Sequence, residues 1–374
     1  MKKTLQQIIR IVLSLGMGVA LGALIINAMG IERIRELSAG QFILEYGLLI
    51  LLLALAAFIQ IAIHEAGHLV FGLLTGYKFV SYRLLSFMVV KTPEGLKLRR
   101  FSLAGTAGQC LMSPPDMKDG KMPYVIYNLG GVFMNLISAG LFLLLWVLVR
   151  SVPVLGPFVM CLGAVGIFYA GLNGIPMEGG QVPNDGWNAL HIGRDPDSLR
   201  AFWVQLKVNE LQSRDVRLRD MPEEWFAGPV RLDNAILATV AVFRENRLMD
   251  KGDLQGALEA IPPILSEESA AAGIYKKLLL CDRLTCQLLL GQEGDYEFLY
   301  KPENKAFYKA MKDFPSVIRM NYVSALLLEK DEKAAQEALD RFEKIAKNYP
   351  AQADIDSERE LFSAVRAKYQ EGSR

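Results

Sequence analysis

Histidine is scarce in this chain. Among 374 residues there are three, His64, His68 and His191, so two of them four residues apart stand out. Cysteine is nearly as rare. Cys161 lies in an apolar run, Cys281 and Cys286 fall in a helical pattern as packing residues, and Cys110 stands alone. That excludes a disulfide framework and suits a reducing compartment for the C-terminal half. An excess of one charge is missing as well. The formal net charge is +1, which removes the bulk electrostatic case for a nucleic-acid partner. Charge of either sign is sparse in the first half. Residues 1–186 hold 14 Lys/Arg and 9 Asp/Glu, against 27 and 31 in residues 187–374. The shift marks a domain boundary in a chain long enough for two or three domains.

What fills the first half is apolar. Hydrophobic residues make up 52% of the chain and mean hydropathy is +0.22, both high for a soluble protein. No charge falls between Arg10 and Glu32. No small-x-small cleavage site follows, so this run is read as a first transmembrane helix within 1–41 rather than a signal peptide. Residues 42–77, 122–149 and 151–177 are further runs long enough to span, about 20 residues being sufficient. Four spans are therefore expected. Lys2, Lys3 and Arg10 put the N-terminus in the cytoplasm. An even span number then puts the basic segment 78–122 and the region after residue 187 there too, in a multi-pass protein of a bacterial plasma membrane.

Segment 78–122 differs in kind. Its β-forming stretches 79–90 and 96–103 flank Thr92-Pro93-Glu94-Gly95, which predicts a hairpin. Gly105, Gly108, Pro114 and Pro115 predict a loop. Residues 191–229 are expected to be a linker or amphipathic connection. In 230–374, three stretches around Asp253, Asp295 and Asp331 each show an apolar helix end, a polar turn and a new helix start. They resemble tetratricopeptide-like helical hairpins, the alternative being an ordinary helical bundle.

The chemistry starts at His64-Glu65-Ala66-Gly67-His68. On a helix, positions i and i+4 share a face, so both imidazoles can address one ion, with Glu65 beside it to accept a proton from water. Ionisable groups in an apolar helix are costly and point to function. A catalytic zinc needs a third protein ligand. Glu94 is the nearest downstream acid, but it sits in the predicted turn. Asp185, in Pro183-Asn184-Asp185-Gly186, falls at the cytoplasmic end of the last span, the same side as the histidines, and is the stronger candidate. His191 is a proton shuttle or distal ligand, or a polar residue opening the soluble domain.

The chain resembles the site-2 protease family of intramembrane zinc metalloproteases, peptidase family M50, over about residues 42–190. Three pieces carry the resemblance. They are the His64–His68 motif in a hydrophobic helix, Asn128-Leu129-Gly130-Gly131-Val132-Phe133-Met134-Asn135, and Asn173-Gly174-Ile175-Pro176 with Asn184-Asp185-Gly186. Val132 stands where the family usually has proline, and the gap from Pro176 to Asp185 is longer than in many members. Neither change removes a ligand. The resemblance implies zinc held by His64, His68 and Asp185, Glu65 as general base, and a membrane-associated hairpin over 78–110 that presents an extended substrate by strand pairing. It also implies substrate contacts from Asn135 and Asn173. For Asn135, a helix–helix hydrogen bond is the competing role.

The expected fold is a mostly α polytopic membrane helix bundle of about four spans. A small β-hairpin and a soluble α-helical, repeat-like domain complete it. The expected function is zinc-dependent hydrolysis of peptide bonds in membrane-anchored substrates, with a protein partner on the C-terminal domain. Two alternatives stand beside it. One is a catalytically inactive membrane scaffold recruiting partners through the helical domain. The other is a soluble-type zincin on a membrane anchor, which needs one span rather than four.

Overall fold

Apolar side chains outnumber what three helices can bury among themselves, and that decides the first half of the fold. The computed structural model describes residues 38–92, 94–100, 107–177, 183–294, 296–299 and 301–372, with five isolated positions between 15 and 22. Helix α1 spans Ala39–Leu74, α2 Val125–Val149 and α3 Leu155–Gly174. All three are long and apolar enough to cross a membrane. Large apolar side chains such as Leu44, Leu74, Leu144 and Leu148 stay exposed on them, a surface suited to lipid rather than water. Of the first expected span, residues 11–31, only those five isolated positions are described, so three of the four expected spans are seen among the described residues.

Local signals start and join these helices. Ser38 caps α1 with a reciprocal capping box: its hydroxyl accepts from the Gln41 backbone N–H and its own N–H donates to the Gln41 side chain. Helices α1 and α2 cross where both lack a side chain. A Cβ on Gly67 would lie 2.3 Å from the Gly130 carbonyl oxygen, and one on Gly130 would lie 2.6 Å from that of Gly67. Only glycine permits this approach.

The chain separates into two compact units, Met1–Phe79 with Ala107–Pro196, and Val80–Thr106 with Asp197–Arg374. Strands β1 (Lys78–Leu84), β2 (Phe87–Thr92), β3 (Gly95–Arg100) and β4 (Gly108–Ser113) form an antiparallel sheet in the order β3-β2-β1-β4. The turn at 92–95 is where the sequence puts it, with Thr92 paired to Gly95. Two expectations are corrected. Residues 79–90 are two strands, because the chain reverses at Leu85 and Ser86, with Leu84 paired to Phe87 and Leu85 at a φ of 52°. No glycine or proline marks that reversal. Gly108 opens β4 rather than a loop.

The rest of the second unit is helical. Residues 191–229, expected as a connection, carry α5 (Pro196–Ser213), whose Val204 and Val208 form a buried cluster with Leu218, Met221 and Phe226. Helices α6 (Ala235–Lys251), α7 (Leu254–Leu265), α8 (Gly273–Leu290), α9 (Pro302–Ala310), α10 (Pro315–Val323), α11 (Glu332–Ala346) and α12 (Gln352–Gly372) follow. Asp253 caps α7 and Asp331 caps α11, each accepting from a backbone N–H three residues on. Asp295 lies outside the described residues, and α8 and α9 are joined by eleven residues rather than a tight turn. The described helices show a helical domain and no repeat.

Arg319 on α10 is buried and ion-paired to Asp282 of α8 and Glu358 of α12. Asp354, in the first turn of α12, is hydrogen-bonded by Gln212. Burial, with Glu358 nearby, pushes its carboxyl up to about 7 against that bond. The folded state therefore holds a proton that the unfolded chain, titrating near 4, releases. Stability from this group is complete below about pH 4 and is lost as pH rises through about 7. Asp354→Asn is expected to stabilise the full chain at pH 8 by at most about 4 kcal/mol, raising its thermal midpoint there, with little effect near pH 4. Equal shifts at both pH values, read by circular dichroism, would contradict this.

Candidate metal centre

His64 and His68 lie one helical turn apart on α1, both buried. Their Nε2 atoms are 3.2 Å apart. The third group arrives from the short helix α4 (Asp185–His191). Asp185 Oδ2 lies 3.1 Å from His64 Nε2 and 3.4 Å from His68 Nε2. Among the described residues these three side chains form the one group able to hold a metal ion.

Asp185 is placed by its neighbour. Asn184 is the N-cap of α4, its Oδ1 accepting from the Trp187 backbone N–H at 3.0 Å and from that of Met177 at 3.0 Å. Its Nδ2 donates to the carbonyls of Leu172 at 2.8 Å and Ile175 at 2.7 Å. One amide thus staples the start of α4 to the end of α3.

The donor set fits zinc. His68 Nδ1 lies 2.9 Å from the Tyr127 carbonyl oxygen, which only accepts, so the proton of the neutral ring sits on Nδ1 and Nε2 offers a lone pair. Asp185 Oδ2 is buried with no hydrogen bond of its own. Acceptors this close need a positive charge between them. Tetrahedral coordination with bonds of about 2.0–2.1 Å puts donors roughly 3.3 Å apart, and the observed edges are 3.1, 3.2 and 3.4 Å.

Glu65 is half-buried beside this group. Strand β4 runs against it: a Cβ on Gly108 would lie 2.7 Å from Glu65 Oε1, and the Cys110 backbone amide is hydrogen-bonded to the carboxylate. That close approach is why position 108 has no side chain.

The other expected site residues fall as follows. Asn135 is fully buried, with Oδ1 2.7 Å from His64 Nδ1 and Nδ2 donating to the Gln60 carbonyl and side chain. Its polar atoms are thus used inside the bundle. Asn173 donates to the Tyr169 carbonyl one turn back on its own helix. His191 bonds the Trp187 carbonyl and stacks on the Trp187 ring. Glu94 is exposed and paired with Lys97. Three contributors escaped the sequence reading: Gln60, Asn184 and Gly131. A lone amide in an apolar run, one turn before His64, was the available signal for Gln60. Gly131 leaves room for the His64 ring, since a Cβ there would lie 2.4 Å from its Cε1.

No family model matches the chain, and neither a curated protein nor a solved structure matches it.

Gly131→Ala is expected to displace the His64 ring and weaken metal affinity at this group at least about tenfold, as loss of ligand orientation does. Asn184→Ala is expected to weaken it less, by releasing the start of α4. Zinc titration of the purified chain checks both, and wild-type affinity in Gly131→Ala would contradict the packing account.

Proposed function

We propose that the chain is a membrane-embedded zinc endopeptidase that hydrolyses peptide bonds of membrane-associated proteins. The observation that carries this reading is the triangle of His64, His68 and Asp185 donor atoms, with Glu65 next to it, on helices fit to span a membrane. The resemblance to the site-2 protease family, borne by the same residues, supports it. Bound there, zinc supplies Lewis-acid activation of water and of an amide carbonyl.

The chain's own groups do the rest. His64, His68 and Asp185 would hold the ion. Glu65, fixed by the Cys110 amide, takes a proton from the attacking water and delivers it to the leaving amine. A scissile bond reaches these groups in extended form, because a helical amide is shielded by its own hydrogen bonds. The cytoplasmic orientation rests on the basic residues of segment 78–122. It gives the helical domain access to soluble partners that select or regulate substrates.

Glu65→Gln is expected to keep about one zinc per chain yet lower cleavage at least about 100-fold. An uncleaved membrane-anchored protein should then accumulate, read by comparing membrane proteomes with wild type. Full activity in the Glu65→Gln variant would remove the general-base role. Asp185→Ala should lower bound zinc, and unchanged metal content would remove the third ligand. A reporter fused to the helical domain should read cytoplasm; an extracytoplasmic signal would overturn the orientation.

A further inference from the structure

Gln60 on α1 and Asn128, Asn135 and Ser138 on α2 are amide and hydroxyl side chains that are buried or half-buried. Asn128 bonds the carbonyl one turn back on its own helix. The others converge on Gln60, which is fully buried. The atoms around it leave a single solution for which end of each amide points where. The Leu162 carbonyl of α3 only accepts, so Gln60 presents its Nε2 there, at 2.8 Å. Gln60 Oε1 is then left facing Asn135, which must answer with Nδ2, also at 2.8 Å. The same Nδ2 donates to the Gln60 backbone carbonyl at 3.0 Å. Asn135 Oδ1 is thereby the atom turned to His64 Nδ1, 2.7 Å away. An acceptor at that distance, shorter than the 3.1 Å from Nε2 to Asp185 Oδ2, places the neutral ring's one proton on Nδ1 and leaves Nε2 its lone pair toward His68 and Asp185.

We propose that Asn135 and Gln60 are positioning residues that hold His64 in its Nδ1–H tautomer, Asn135 by direct contact and Gln60 by keeping the Asn135 amide from turning over. His68 gets the same tautomer from a backbone carbonyl, which no side-chain change can remove. His64 has no such carbonyl, and the relay supplies the acceptor instead. Its consequence for metal affinity rests on the zinc reading of the site, whereas the tautomer itself is a property of the metal-free chain.

The scarcity of histidine makes the test practical, because a histidine-labelled chain carries three imidazoles. The full-length chain, zinc-free in detergent at a pH where the rings are neutral, is read by nitrogen-15 NMR for tautomer and then titrated with zinc. Wild type should show Nδ1–H at both His64 and His68. Asn135→Ala should turn His64 into a tautomer mixture, leave His68 unchanged, and weaken zinc binding about 10–100-fold, the range for lost outer-shell partners. Gln60→Met, similar in volume, should move the same two readouts in the same direction by less.

An Asn135 that only touches substrate would leave both readouts unmoved. A His64 that stays wholly Nδ1–H in both variants, or that carries its proton on Nε2 in wild type, overturns the relay. Should Asn135→Ala fail to fold, Gln60→Met decides alone by the same criterion. A wild type with the expected tautomers that binds no zinc leaves the relay standing and removes the zinc reading. Zinc binding with a His64 tautomer indifferent to both variants does the reverse.

Discussion

Two imidazole nitrogens and a carboxylate oxygen face one another within 3.4 Å, on helices whose outer surface is apolar. Each pair repels unless positive charge lies between them, and the low dielectric of such surroundings screens little of that repulsion. The arrangement persists because each donor is held from behind. The Tyr127 carbonyl holds His68, the Asn135 amide holds His64, and Asn184 holds the backbone at Asp185. These partners come from α2 and from the junction of α3 with α4. Holding the donors and packing the helices are therefore one physical problem.

The parts of this site that follow local rules could be read in the sequence. His64 and His68 share a face because of helical period alone, and Glu65 comes with them. Asp185 lies far along the chain and was legible only by counting spans, which placed it on the same side of the membrane. The supports were not legible in the same way. Gln60 and Asn135 are ordinary amides until two helices are set at one rotation, and which amide end faces His64 depends on a carbonyl of a third helix. Gly108 reads as a loop glycine until the Glu65 carboxylate is placed beside it, and nothing in the sequence ties Gly131 to the His64 ring that it makes room for. The sheet shows the same limit. The turn at 92–95 announces itself with glycine and proline. The reversal at Leu85 has neither, and it is fixed by pairing across the strands. Residues 191–229 read as a connection, yet Val204, Val208, Leu218, Met221 and Phe226 within them form a buried cluster that meets Val240 and Phe243 of α6.

Both units bury polar groups, and both do it in threes. Gln60, Asn135 and the Leu162 carbonyl tie α1, α2 and α3. Arg319, Asp282 and Glu358 tie α10, α8 and α12. A buried network of this kind adds little net stability over apolar packing when complete and is severely destabilising when one member is lost. What it supplies is selection among packings, because a slipped or rotated helix leaves a partner unsatisfied.

In the membrane unit that selection has a specific object. Lipid tails are as apolar as leucine, so apolar contact gives α1 little preference for one rotation over another. Turning α1 by a single residue, about 100°, would carry Gln60 away from Leu162 and Asn135, and would carry His64 away from Asp185 by the same angle. The first loss penalises the second. The glycine crossing at Gly67 and Gly130 sets how close α1 and α2 come, the Gln60 relay sets the rotation, and the Asn184 staple sets the height at which Asp185 enters. Distance, rotation and height are the three variables that place donor atoms around an ion, and in this bundle each is set by a different group of side chains.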